Sequence, residues 1–224
     1  MNIKIEYFDN VISLVSGIIN VIEIENKKYF YRCINDLCLI YNEGYSDDII
    51  FFEEEKEKNM NGKIKVFINY FDFQFDSKKY LNDICKYVNE NIDDEYKNDL
   101  VILYNKIIKV YKKVLNGLDL PLSVETDVSV DTIIRFVKVG IKPKIELLDN
   151  LFLLIDLEKV LKTNNLLIFV NLKQYLSKNE LVELYKYAIY NNVQLLLIDS
   201  QAYGGTLEYE KKIIVDENLD EFVI

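Results

Sequence analysis

Apolar and polar residues alternate through Asn2-Ile3-Lys4-Ile5-Glu6-Tyr7, a period of two that predicts a strand with one buried face. After the Ser16-Gly17 turn, Ile18–Ile24 predicts a second, more apolar strand. Over Asn26–Ile40 the period changes. Tyr29, Phe30, Cys33, Leu37 and Ile40 recur at spacings of three and four, the signature of a helix with one inner face. Ile49–Phe52 and Ile64–Asn69 predict further strands, with a turn at Asn61-Gly62 between them. Residues 1–75 are therefore strand-rich.

Residues 76–163 read as helical. Ser77 can cap a helix that runs to about Asn91, and Asp93 or Asp94 can cap the next. Leu100, Leu103, Tyr104, Ile107, Ile108, Tyr111, Val114, Leu115 and Leu118 then sustain an amphipathic helix, stopped at Gly117. Val130–Val139 predicts a shorter helix ended by Gly140, and a strongly apolar helix follows Pro143 through Leu147, Leu151, Leu154, Ile155 and Leu161. Residues 164–224 form a β-α-β pattern. Leu166–Val170 and Val193–Ile198 are continuously apolar, as strands buried on both faces must be. The helix between them opens with a capping box, Ser177 and Glu180. Lys211–Val215 and Phe222–Ile224 are candidate closing strands. The expected fold is α/β, with a sheet-centred head made of 1–75 and 164–224 and a long helical leg, 76–163, inserted into it.

Composition narrows the chemistry. Half of the 224 residues are apolar, enough for a sizeable core. No apolar run approaches the ~20 residues a membrane helix needs, and the alternating start is unlike a secretory h-region, so a cytoplasmic protein with no membrane partner is expected. Cys33, Cys38 and Cys85 are odd in number and sit in helical patterns, which suits reduced core thiols. There is no histidine, which excludes Ser-His-Asp and Cys-His nucleophilic sites and His-bearing metal centres. The arginines are Arg32 and Arg135 alone, so bidentate phosphate clamps are scarce. The net charge of −10 argues against nucleic acid taken as a whole, yet it is unevenly spread. Glu43–Lys58 holds seven acids and two lysines, whereas Asp99–Asn150 holds seven acids and eight bases.

Candidate sites follow from these residues. Leu195-Leu196-Leu197-Ile198-Asp199 resembles a Walker B strand, but the phosphate loop it would need is missing: Gly62-Lys63 is followed by Ile64, and Glu57 stands at the first Gly position. Tyr203-Gly204-Gly205 reads as a turn. Asp119, Glu125, Asp127 and Asp131 cluster around Pro121 and offer hard oxygen ligands suited to Ca2+, though without EF-hand spacing. The same carboxylates suit a solvated loop, with Asp131 near a helix start. Lys106, Lys109, Lys112 and Lys113 lie on the polar side of the long helix, and Lys138, Lys142 and Lys144 surround Gly140. By default these are solvated faces; repeated around an oligomer axis, either set makes a phosphate-binding ring.

Asn165–Asn171, Tyr175–Glu180 and Asn192–Ile198, with Gly17 ahead of Ile18-Ile19-Asn20-Val21-Ile22-Glu23, resemble the spacer-acquisition protein family of type II-A CRISPR systems. The order of elements (sheet, helical leg, β-α-β closure) is similar too. That resemblance implies a non-enzymatic protein whose head is a degenerate P-loop ATPase fold. It implies a homotetrameric ring that takes double-stranded DNA, often at its ends, through a positive hole. It further implies Ca2+ held by acidic residues where head meets leg, and assistance to the CRISPR integrase complex and the RNA-guided nuclease in capturing spacers. The expected DNA contacts are Lys138, Lys142 and Lys144, with Lys106, Lys109 and Lys113 as the rival set. The expected metal ligands lie among Asp119, Glu125, Asp127 and Asp131. The competing classes are a degenerate P-loop-type nucleotide-binding enzyme and a protein-only interaction scaffold.

Overall fold

The computed structural model describes residues 1–71, 78–118, 120, 122–124, 129–136, 141–163 and 165–224. Contacts divide the chain into two units, 1–73 with 143–224, and 74–142.

The first unit is built on a six-stranded sheet. Its strands are β3 (Ile19–Ile24), β6 (Ile64–Phe67), β7 (Leu166–Val170), β8 (Gln194–Asp199), β9 (Glu210–Val215) and β10 (Glu221–Val223), in the order β10-β9-β3-β8-β7-β6. Five strands run parallel, and β10 closes one edge antiparallel to β9. Every residue of β3 and β7 is buried, because helices and a second sheet cover both faces. On one face Ile22, Ile24, Ile168, Leu196, Ile198 and Ile213 share a core with Cys33, Leu37 and Ile40 of α1 (Lys27–Glu43). The same core takes in Ile3, Ile5, Ile49 and Phe51 of a small antiparallel sheet, ordered β2-β1-β4-β5, from β1 (Asn2–Ile5), β2 (Ile12–Ser13), β4 (Ile49–Glu53) and β5 (Lys56–Glu57).

The head expected from the sequence is sheet-centred, and the structure builds it on two sheets. The buried-exposed alternation of β1 and β4 marks strands covered on one face, whereas the central strands of the large sheet are covered on both.

The opposite face of the large sheet meets α5 (Leu147–Leu161) and α6 (Lys178–Tyr190). The sequence reading counted α5 with the leg. Its Leu151, Leu154 and Ile155 are fully buried, and its Glu158 reaches Lys65 of β6 at 2.7 Å with both side chains enclosed. A helix so apolar needs a sheet and a neighbouring helix to cover it, and both lie in the first unit. The start of α5 is fixed by Asn150, whose amide bonds the backbone of Lys144 twice and the carbonyl of Glu146. The capping box of α6 forms as expected: Glu180 N–H donates to Ser177 Oγ and Ser177 N–H to the Glu180 carboxylate.

The second unit contains α2 (Lys78–Asn91), α3 (Asp94–Leu115) and α4 (Val130–Phe136). Among its described residues, Tyr80, Cys85, Ile108 and Ile134 are the buried apolar ones. Arg135 joins α4 to α2 through Asn82 Oδ1 at 2.6 Å. Ser77, the expected cap of α2, and Val139 and Gly140, the expected end and stop of the helix that begins at Val130, lie outside the described residues.

Candidate functional site

The 22-residue α3 presents two exposed stripes. Leu103, Ile107, Val110 and Val114 recur at four, three and four residues, so they share one face, and each is 45–65% exposed. Lys106, Lys109 and Lys113 share the adjoining face and are all exposed, as is Lys112. Ile108 turns inward, alone in α3 in being buried. This departs from an ordinary amphipathic helix, in which the apolar stripe is the covered one. A long apolar stripe in water beside a lysine row can bind a second apolar helix and a polyanion side by side.

Lys142 and Lys144 are exposed, and they fall on either side of the division between the two units. Lys138 lies outside the described residues. Of the expected metal ligands, Asp119, Glu125 and Asp127 also lie outside them. Asp131 is half-exposed on α4, where Arg135 Nε donates to its Oδ2 at 2.7 Å. No group of three metal-ligating side chains assembles among the described residues.

The densest chemistry is a buried ionic cluster between β3, β8, β9, the turn after β7 and α6. Glu23 of β3 and Asp199 of β8 are neighbours in register and wholly buried. Lys173, in the turn after β7, reaches Glu23 at 3.1 Å and Glu210 at 2.8 Å. Lys212 of β9 reaches Glu23 at 2.8 Å. Tyr185 of α6 donates its hydroxyl to Glu210 at 2.8 Å. Asp199 stands apart, since neither of its oxygens accepts a hydrogen bond of ordinary geometry. Burial pushes its carboxyl up to about 7; the Lys173 ammonium and amide oppose the rise, while Glu23 and Glu210 add to it. Burial also raises Glu210, but the Leu207 amide and Lys173 hold it below the usual carboxylate range.

At the carboxyl edge of the sheet β3 passes to α1 through Glu25 and Asn26 alone, and the Asn26 side chain accepts from the Lys28 and Tyr29 amides. Those amides are the groups a phosphate would need, and the connection has no length for a cradling loop. A separate cavity of about 420 Å³ lies at the opposite, amino edge of the sheet, between Val15–Ile19, Lys159, Lys162 and Asn191–Gln194.

A family model described as CRISPR-associated protein (Cas_Csn2) matches residues 40–219, four-fifths of the chain. The chain belongs to the Cas_Csn2 family. Among solved structures it is similar to the crystal structure of Stu0660 of Streptococcus thermophilus. The TM-score is 0.64 with 15% identity, covering 96% of this chain and 75% of that one. At that identity the likeness concerns the fold, which is α/β in both. A search of the curated proteins found no match. The stretch shared with the Cas_Csn2 family includes the exposed stripes of α3 and most of the ionic cluster, but begins after β3 and Glu23. No helix among the described residues is long and apolar enough to cross a membrane.

Sequence reasoning did not single out Glu23, Lys65, Glu158, Lys173, Glu210 or Lys212. A signal was present. Glu23 interrupts Val21-Ile22-Glu23-Ile24, and Lys65 interrupts Ile64-Lys65-Val66. A charge inside a strand covered on both faces must find a counter-charge, though its identity is set by the fold.

Proposed function

We propose that this Cas_Csn2-family protein is a non-enzymatic CRISPR adaptation component. It binds double-stranded DNA, with a preference for ends, in a homotetrameric ring in the cytoplasm. In that role it serves the integrase complex and the RNA-guided nuclease during spacer capture. The observation that carries the reading is α3, whose uncovered apolar stripe runs beside an uncovered lysine row. Self-association through the apolar stripe repeats the lysines around an axis, so a few residues per chain supply many phosphate contacts. An acidic chain then binds a polyanion locally, because at physiological salt its other charges are screened beyond about 8 Å. The missing phosphate loop and the short β3–α1 connection favour a binding protein over a nucleotide hydrolase.

Ca2+ is part of this proposal. Asp119, Glu125, Asp127 and Asp131 would hold it as hard oxygen donors, and at Asp131 the ion would have to share a carboxylate with Arg135.

Mobility shift with linear and circular duplexes, with and without Ca2+, tests the proposal. Linear duplexes of any sequence should be retained, with log K falling against log salt by about 0.9 per phosphate contact. Replacing Lys106, Lys109 and Lys113 with Ala should weaken all sequences alike and flatten that slope; the Lys138, Lys142 and Lys144 trio is the parallel test. Absence of any binding at low salt with Ca2+ overturns the DNA reading in favour of a protein-only scaffold. ATP turnover lost in Asp199→Asn would instead favour a nucleotide enzyme.

A further inference from the structure

The ten residues 200–209 run from the carboxyl end of β8 over β3 to the amino end of β9, a strap that crosses the large sheet from one edge to the other. The strap's inner polar contacts converge on the ionic cluster. Tyr203 N–H donates to Glu23 Oε2 at 3.2 Å, and Leu207 N–H to Glu210 Oε2 at 3.0 Å. The Gly204 and Gly205 carbonyls accept from Lys212 Nζ at 3.3 and 2.5 Å. Gly204 and Gly205 have φ of +61° and +43°, which lets two successive carbonyls turn toward one ammonium. At the near end, Ser200 N–H donates to Asn171 Oδ1 at 2.8 Å. At the surface, Lys186 meets Glu208 at 3.4 Å.

Beneath the strap the charges do not cancel in every protonation state. Glu23 and Glu210 balance Lys173 and Lys212, so a protonated Asp199 leaves the cluster neutral and an ionised one leaves it one charge negative. Among the described residues, the remaining titratable groups facing Asp199 are phenols: Tyr185 from α6, Tyr70 after β6, and Tyr203 from the strap itself. Burial raises all three, so they stay neutral near pH 7 and supply no compensating cation. The Tyr203 hydroxyl is itself buried and makes no hydrogen bond of ordinary geometry, with Gln174 and Gln201 as its polar neighbours.

We propose that the 200–209 strap is a proton-operated latch, closed most tightly when Asp199 is protonated and loosened when that carboxyl ionises. An ionised Asp199 competes for Lys173, the ammonium that holds both Glu23 and Glu210, and those two carboxylates in turn hold the Tyr203 and Leu207 amides. Opening the strap admits water and returns Asp199 to the ordinary carboxylate range, so opening releases a proton. The sign follows. The closed form binds the proton more tightly than the open form between about pH 4 and the closed-state value. Opening therefore becomes easier as pH rises through that window and levels off above it.

Amide hydrogen exchange across pH 5 to 9, corrected for the intrinsic rate at each pH, measures this directly. Protection of the Tyr203 and Leu207 amides should fall by up to about tenfold per pH unit up to pH ~7 and then stay flat. Amides of β3 and β7 should not follow. In Asp199→Asn the strap's protection should be independent of pH. Flat protection in the wild-type chain, or an equal loss in β3 and β7, overturns the latch and needs no variant to fold. An unchanged pH profile in folded Asp199→Asn overturns the assignment to Asp199.

Discussion

Lys65 and Glu158 tie α5 to β6 where water does not reach, with side chains 4% and 2% exposed and 2.7 Å between Nζ and Oε1. At that separation and an effective dielectric constant of about 20, their attraction is about 6 kcal/mol. Removing the two ions from water costs several kcal/mol each, so the pair contributes little net stability. Breaking it is another matter. Lys65→Met takes from the buried Glu158 the ammonium that faces it, and the expected loss is about 3–5 kcal/mol; Glu158→Leu takes the facing carboxylate from Lys65. The double replacement removes both desolvation costs and restores apolar packing. It should lie within about 2 kcal/mol of the wild type, part of the residue being the Thr163 hydroxyl that loses Glu158 as its acceptor. Urea unfolding of the four proteins, read by circular dichroism with m-values compared, gives the cycle. The singles should sum to several kcal/mol more than the double. Additive losses, or a Lys65→Met variant within 1 kcal/mol of wild type, would show that water or another partner satisfies Glu158 and that the enclosed-pair reasoning is wrong.

Other outcomes can be stated briefly. Glu221 accepts from the Asp9 and Asn10 amides at 2.6 and 2.9 Å and from Asn10 Nδ2 at 2.8 Å, latching β10 to the β1–β2 turn. Glu221→Ala should cost about 1–2 kcal/mol and expose those two amides to exchange first, while unchanged exchange there would argue against the latch. Ser177→Ala removes half of the α6 capping box and should lower stability by about 1 kcal/mol, measured by thermal melting. Ile107→Asp with Val110→Asp should reduce the proposed tetramer to the 26.5 kDa monomer by light scattering; a tetramer that survives would place the self-association elsewhere.

Much of the architecture was readable from local pattern. Ser177 and Glu180 announced the start of α6, the unbroken apolar runs at Leu166–Val170 and Leu195–Ile198 announced strands covered on both faces, and the spacing from Leu103 to Val114 announced α3. These are short-range properties, fixed by neighbours within about four residues along the chain.

What the tertiary structure alone decided is pairing at a distance. Periodicity shows that Leu147–Leu161 is an apolar helix, but not that it packs on α6 and β6 instead of joining the leg. Alternation shows that Asn2–Ile5 is a strand, but not that its partner, β4, belongs to a second sheet. The lone charges Glu23, Lys65, Lys173 and Lys212 were visible as letters, and their partners lie up to 189 residues away, as Lys212 does from Glu23. A buried charge is tolerable only where the fold delivers its counter-charge within bonding distance, and that delivery depends on strand order and register, which no local spacing encodes.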